Sequence, residues 1–123
     1  MINKKTIFCD IDGTIFKQVP YDVINEFEFT ILPGIKEKFE EWNNSKYIII
    51  LVSGREESKR DITIKQLYNA GIKYNQLILG IGSEDRYIIN NNTKNEPDIN
   101  RAFAISVKRD EGFNFTNFVT VGL

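Results

Sequence analysis

The sequence predicts an α/β fold, a three-layer sandwich with a mainly parallel central sheet and helices on its faces. Three observations carry this. Strand, flap, helix, strand, helix and strand follow one another, the order of a parallel sheet built with right-handed crossovers. The run Tyr47-Ile48-Ile49-Ile50-Leu51-Val52 is continuously apolar, as a strand covered on both faces must be. Strand-like runs end in polar clusters, Asp10 with Asp12, Ser53 with Arg55, and Asn90 with Asn91, and in a parallel sheet such ends converge on one edge, where ligands bind.

Taken in order, residues 5 to 11 form the first strand, rich in β-branched and aromatic residues. Gly13 turns the chain away from it. Residues 12 to 32 form an irregular flap with a short helical turn or small hairpin, its aromatics folded back onto the domain. Leu32-Pro33-Gly34 opens a helix in which Ile35, Phe39 and Trp42 share a buried stripe. The run 47–52 is the second strand. A second helix spans Glu56 to Ala70, with Ile62, Leu67 and Tyr68 among its buried residues and Gly71 closing it. Strands at 76–79, 86–89 and 102–107 complete the sheet. In the tail from Lys108 to Leu123, Phe113, Phe115 and Phe118 pack on the domain or on a second subunit.

A chain of 123 residues makes one domain with one core, expected to span 1–123. Net charge is −1, so the basic footprint of a general nucleic-acid binder is missing. No apolar run approaches membrane-spanning length, and Met1-Ile2-Asn3-Lys4-Lys5 precedes a strand rather than a signal-peptide core, so a cytoplasmic protein without membrane or nucleic-acid partners is expected. The single cysteine, Cys9, allows no internal disulfide and reads as a small buried hydrophobe. The chain contains no histidine, which excludes Ser-His-Asp and Cys-His catalysis and histidine metal sites together. Chemistry here must run on carboxylates, hydroxyls, Lys, Arg and backbone.

Asp10 and Asp12 are therefore the candidates around which the rest is arranged. Two carboxylates held close repel, and a metal ion or a raised pKa offsets the repulsion. Ser53-Gly54-Arg55, just ahead of a helix, has the composition of an anion site, with backbone N–H groups and the helix dipole facing the ligand. An anion site beside an aspartate pair points to a metal-assisted reaction on a phosphate. Arg55 is read either as a phosphate contact or as a surface partner of Glu56 or Glu57.

Asp10-Ile11-Asp12-Gly13-Thr14 resembles motif I (D-x-D-G-T/S) of the haloacid dehalogenase superfamily, and Ser53-Gly54-Arg55 after its apolar strand is similar to the T/S-G-R form of motif II. The resemblance runs from about Thr6 to Val107 and implies a Rossmann-like domain of that superfamily, small and without a cap domain. It implies a phosphatase in which Asp10 is the nucleophile and Asp12 the acid/base, with Thr14 supporting the loop. Mg²⁺ is the implied cofactor, held by Asp10 and the main chain of Asp12, and Ser53, Gly54 and Arg55 are the implied phosphate-binding residues. A small phosphorylated metabolite, a sugar phosphate or a nucleotide, is the implied substrate. Small capless members often cover an open site with a neighbouring subunit, so a homo-oligomer is an expected partner.

The sequence departs from the family pattern in two places. Where motif III supplies a lysine, this chain has Gly80-Ile81-Gly82-Ser83; Arg86 is the nearest cation and Lys94 a weaker candidate. Where motif IV supplies an acidic metal ligand, it has Asn90 and Asn91, with Asn91 at the aligned position. A non-catalytic protein that binds a phosphorylated ligand or a protein partner is the second reading. A receiver-like phosphoacceptor ranks third, since D-x-D-G-T is not its signature.

Overall fold

The alternation of β-branched and aromatic residues in Thr6–Asp10 forms β1, and the apolar run Ile48–Val52 forms β2. In the computed structural model, which describes residues 4–114 and 116–123, these pair in parallel with β3 (Gln76–Ile78) in the order β1-β2-β3. The register sets Asp10 opposite Val52 and Val52 opposite Ile78, so the three carboxyl ends lie side by side. Between the strands run α1 (Ile35–Asn44) and α2 (Arg60–Ala70), with short 3₁₀ turns at Tyr21–Val23, Glu57–Lys59 and Val119–Val121. The α/β class with a parallel sheet and helices is as the sequence predicts.

Both crossovers step in the same direction across the sheet, and right-handed connections then place both helices on one face. The core records this: Ile7, Cys9, Ile49 and Leu51 from the strands pack with Ile35, Phe39 and Trp42 of α1 and Leu67 and Ala70 of α2. The other face carries Phe8, Ile50 and Ile78, of which Phe8 is 51% exposed. The two-sided cover expected for the second strand is thus half realised, with Ile49 and Leu51 buried and Ile48, Ile50 and Val52 half-buried.

The tail closes the core under α1. Trp42 packs against Phe39, Phe113 and Phe118, with ring centroids 5.2, 6.0 and 5.8 Å away. Such clusters combine large apolar area with tilted and edge-on ring geometry. Phe113 and Phe118 pack on the domain as expected, whereas Phe115 lies outside the described residues, as do Met1, Ile2 and Asn3.

Three sequence expectations need correction. Tyr68 is 83% exposed, because the buried stripe of α2 is Thr63, Gln66, Leu67 and Ala70, one position away. Two polar members of that stripe hide it from a count of apolar residues; Thr63 donates to Lys59 O at 2.7 Å and Gln66 to Asn25 O at 3.1 Å. The runs 86–89 and 102–107 form no strand among the described residues, and Ile89 is 96% exposed. A parallel neighbour for β1 would need a crossover of a dozen or more residues to return to the start of the sheet. Only residues 79–85 separate β3 from Arg86, and Arg86 is held at the carboxyl end of β1 by its ion pair with Asp10. The run 86–89 therefore begins at the carboxyl end of β1, with too little chain behind it to return and add a parallel strand there.

Candidate active site

The turn after β1 is built on one acceptor. Ile11 O accepts from the N–H groups of Thr14, Ile15 and Phe16 at 3.2, 2.8 and 3.1 Å, while Gly13 N–H donates to Phe16 O at 2.7 Å. This winding needs φ +83° at Gly13, which a residue with a Cβ resists. Ile11 and Ile15 point into the core and are fully buried. Asp10 and Asp12 are therefore held on a rigid loop, each half-buried.

Each aspartate has its own guanidinium. Arg86 donates to Asp10 Oδ1 at 2.8 Å, and the Thr14 hydroxyl donates to Oδ2 at 3.1 Å. Arg55 takes Asp12 in a fork, Nε to Oδ2 at 2.8 Å and Nη2 to Oδ1 at 2.7 Å. Such bidentate pairing is among the strongest charge-assisted contacts in proteins. Arg55 is only 3% exposed, and its third nitrogen donates to Thr63 Oγ1 at 3.0 Å. The reading of Arg55 as a surface partner of Glu56 or Glu57 is therefore wrong; those residues are exposed and Arg55 points inward to Asp12.

Ser53 is buried directly after β2, and its hydroxyl accepts from Arg55 N–H at 3.0 Å, which fixes the loop that aims the guanidinium. Gly54 faces the loop after β3: a Cβ there would sit 3.4 Å from Ile81 O and 3.5 Å from Ser83 Cβ. That loop is tied to the same place, with Gly80 N–H donating to Arg55 O at 2.7 Å and Ile81 N–H to Ser53 O at 3.3 Å. The flap leans on the start of α2. Tyr21 Oη accepts from Glu56 N–H at 3.2 Å, and the Gln66 and Asn69 side chains donate to Asn25 O and Glu26 O.

Asn91 lies elsewhere. It is exposed, its main-chain oxygen accepts from Arg101 Nε at 3.0 Å, its side-chain oxygen accepts from Arg101 Nη2, and its N–H donates to Asn90 Oδ1. None of these bonds reaches Asp10 or Asp12. Lys94 is exposed and forms no ion pair with either aspartate among the described residues. Among the described residues there is no cluster of three His, Cys, Asp or Glu side chains able to hold a metal. A Mg²⁺ ion, however, usually keeps several waters and is held by one or two carboxylates together with substrate phosphate. The donor set here, the Asp10 carboxylate and the main-chain oxygen of Asp12, fits that mode, since carboxylate and carbonyl oxygens are the hard ligands it requires.

Sequence patterns did not point to Arg109. Its Cγ would lie 3.2 Å, and its Nε 3.8 Å, from a Cβ placed on Gly13, so the tail brings a third guanidinium to the aspartate loop. Its only local signal was its place in a tail that carries buried phenylalanines.

Cys9 adjoins Asp10 but faces the core. Burial, with a smaller push from the Asp10 carboxylate, raises its thiol from 9.0 to about 12. It is therefore a thiol at every physiological pH and no nucleophile. Between pH 9 and 12 the folded chain holds a proton that the unfolded chain has released, so stability falls as pH rises through that window. The native protein is expected to resist a thiol-specific reagent at pH 8 and to react fully once denatured; rapid reaction of the native protein would contradict the burial.

No protein-family model matches the chain. An uncharacterized protein of Methanocaldococcus jannaschii is 34% identical over 61 residues, covering 49% of this chain and 62% of the relative. Among solved structures, a chain of the Pnkp1/Rnl/Hen1 complex superposes with a TM-score of 0.56 at 25% identity, over 68% of this chain and 30% of its own length. The D,D-heptose 1,7-bisphosphate phosphatase of B. bronchiseptica, determined with magnesium and phosphate, superposes with a TM-score of 0.51 at 18% identity, over 66% of this chain and 52% of its own. The chain thus spans less than two-thirds of each of these proteins. No helix among the described residues is long and apolar enough to cross a membrane. The architecture, a parallel three-stranded sheet with its helices, is compatible with the Rossmann-like fold of the haloacid dehalogenase type that the phosphatase neighbour shares.

Proposed function

We propose that the chain is a Mg²⁺-dependent phosphatase acting on a small phosphorylated metabolite, a sugar phosphate or a nucleotide, through an aspartyl-phosphate on Asp10. The observation that carries this reading is the division of the aspartate pair. Asp10 and Asp12 stand at the carboxyl end of β1, each on its own guanidinium, with Ser53-Gly54-Arg55 beside them.

In the proposed reaction an Asp10 carboxylate oxygen attacks phosphorus and the bond to the leaving oxygen breaks, while Asp12 gives that oxygen a proton. Water then attacks the phosphorus of the aspartyl-phosphate, Asp12 takes the water's proton, and Asp10 is released. Both Asp12 oxygens accept from Arg55, and each keeps a second lone pair for the travelling proton. Arg86, at the half-exposed rim, balances the charge of Asp10 and so lowers its repulsion of the incoming phosphate. Bound Mg²⁺, held by Asp10 and the main chain of Asp12, would supply further neutralisation of the phosphoryl oxygens.

The test is phosphate release from p-nitrophenyl phosphate and a panel of sugar phosphates and nucleotides. Release that requires Mg²⁺ and stops on chelation is expected; no release from any substrate would sink the enzyme reading. A second reading, a protein that binds a phosphorylated ligand without cleaving it, is favoured by Gly80-Ile81-Gly82-Ser83, which holds no lysine, and by Asn91, whose neutral side chain is engaged by Arg101. It predicts phosphate binding without release.

A further inference from the structure

The tail segment around Arg109 is fastened to the aspartate loop at several points. Asp110 N–H donates to Gly13 O at 2.9 Å, and the Asp110 carboxylate accepts from Gln18 N–H at 2.8 Å. Further on, Phe113 N–H donates to Pro33 O at 2.8 Å and the Phe113 ring enters the core. Gly112, at φ +72°, presses so closely on Pro33 that a Cβ there would run into its main-chain oxygen. Asp110 itself holds φ +63°, a left-handed conformation that aspartate tolerates better than most residues.

These ties place the Arg109 stem against Gly13, one residue from Asp12. Arg55 and Arg86 are each committed to a carboxylate, whereas Arg109 is exposed and has no ion-pair partner among the described residues. The aspartates and their two partners balance in charge; Arg109 adds a guanidinium to the loop, and the neighbouring Asp110 carboxylate is turned to the Gln18 N–H rather than to it. The Gln18 side-chain oxygen, 3.5 Å from the same Gly13 position, shares the opening.

We propose that Arg109 is a specificity-determining residue that binds a second anionic group of the substrate, next to the phosphoryl group at Asp10, so that doubly phosphorylated ligands are preferred to singly phosphorylated ones. Guanidinium presents a planar fork that matches phosphate oxygens. The inference rests on the proposed phosphate site at Asp10, Ser53 and Arg86.

Binding of pyrophosphate and of orthophosphate to the full chain, measured by calorimetry with Mg²⁺ present, tests it without requiring turnover. The wild type is expected to bind pyrophosphate roughly tenfold more tightly, the worth of one charge-assisted contact. Arg109→Gln is expected to abolish that preference while orthophosphate affinity stays within about twofold, since a neutral amide retains little of the contact. A wild type without the preference, or a variant that keeps it, overturns the role of Arg109. Failure of the wild type to bind either probe overturns the phosphate site as well. Hydrolysis by the wild type decides the enzyme reading separately.

Discussion

Asp10→Asn is expected to reduce phosphate release to the buffer background, a loss on the order of 10³-fold or more, as for removal of a covalent nucleophile. The substitution is nearly isosteric. The amide oxygen can still accept from Thr14, and Ile11 and Ile15 still anchor the turn in the core. What disappears is the nucleophilic oxygen and the countercharge of Arg86. That pair is half-exposed, so its loss costs stability little, about 0–1 kcal/mol. The variant should therefore melt close to the wild type while hydrolysing nothing. Retention of more than a tenth of the wild-type rate would remove Asp10 from the role of nucleophile.

Arg55→Ala is expected to damage both fold and activity. Arg55 is almost wholly buried, and its side chain spans Asp12 and Thr63. Truncation leaves a half-buried carboxylate without its countercharge and an unfilled space beside β2. Breaking a buried pair in this way costs about 3–5 kcal/mol, and the partial exposure of Asp12 places the expectation near the lower figure. Arg55→Lys keeps the charge but loses the fork, so part of the loss remains. The double variant Arg55→Ala, Asp12→Asn is expected to be more stable than Arg55→Ala alone, because the orphaned charge is gone. Denaturant melts of the four proteins measure this. A double variant no more stable than Arg55→Ala would show that packing, not the ion pair, holds Arg55 in place.

The aspartate loop was legible in the sequence because everything that builds it is local. An apolar strand, two carboxylates and a glycine that must adopt positive φ lie within a few residues. The aromatic stripe of α1 was legible for the same reason, its period being the helix's own. Arg55 was ambiguous because its partner lies 43 residues away, and an arginine beside two glutamates looks like a surface residue. Arg109 carried no signal beyond its place in a phenylalanine-bearing tail, since only the folding of that tail onto Gly13 and Pro33 brings it to the site. The runs 86–89 and 102–107 misled in the opposite direction. Their composition is that of strands, but pairing depends on where the connecting chain can deliver them, and for 86–89 the short link after β3 ends at Asp10. Asn91 fitted a metal position by order along the chain, whereas its side chain is engaged by Arg101.

The most direct measurement is of the bond itself. The wild type, quenched during turnover of a hydrolysed substrate and reduced with borohydride, should be digested and mapped by mass spectrometry. An acyl phosphate on Asp10 would be converted to homoserine at that position alone, and Asp12 would remain aspartate. Turnover with no reduction at Asp10, or with reduction at another carboxylate, would contradict the account.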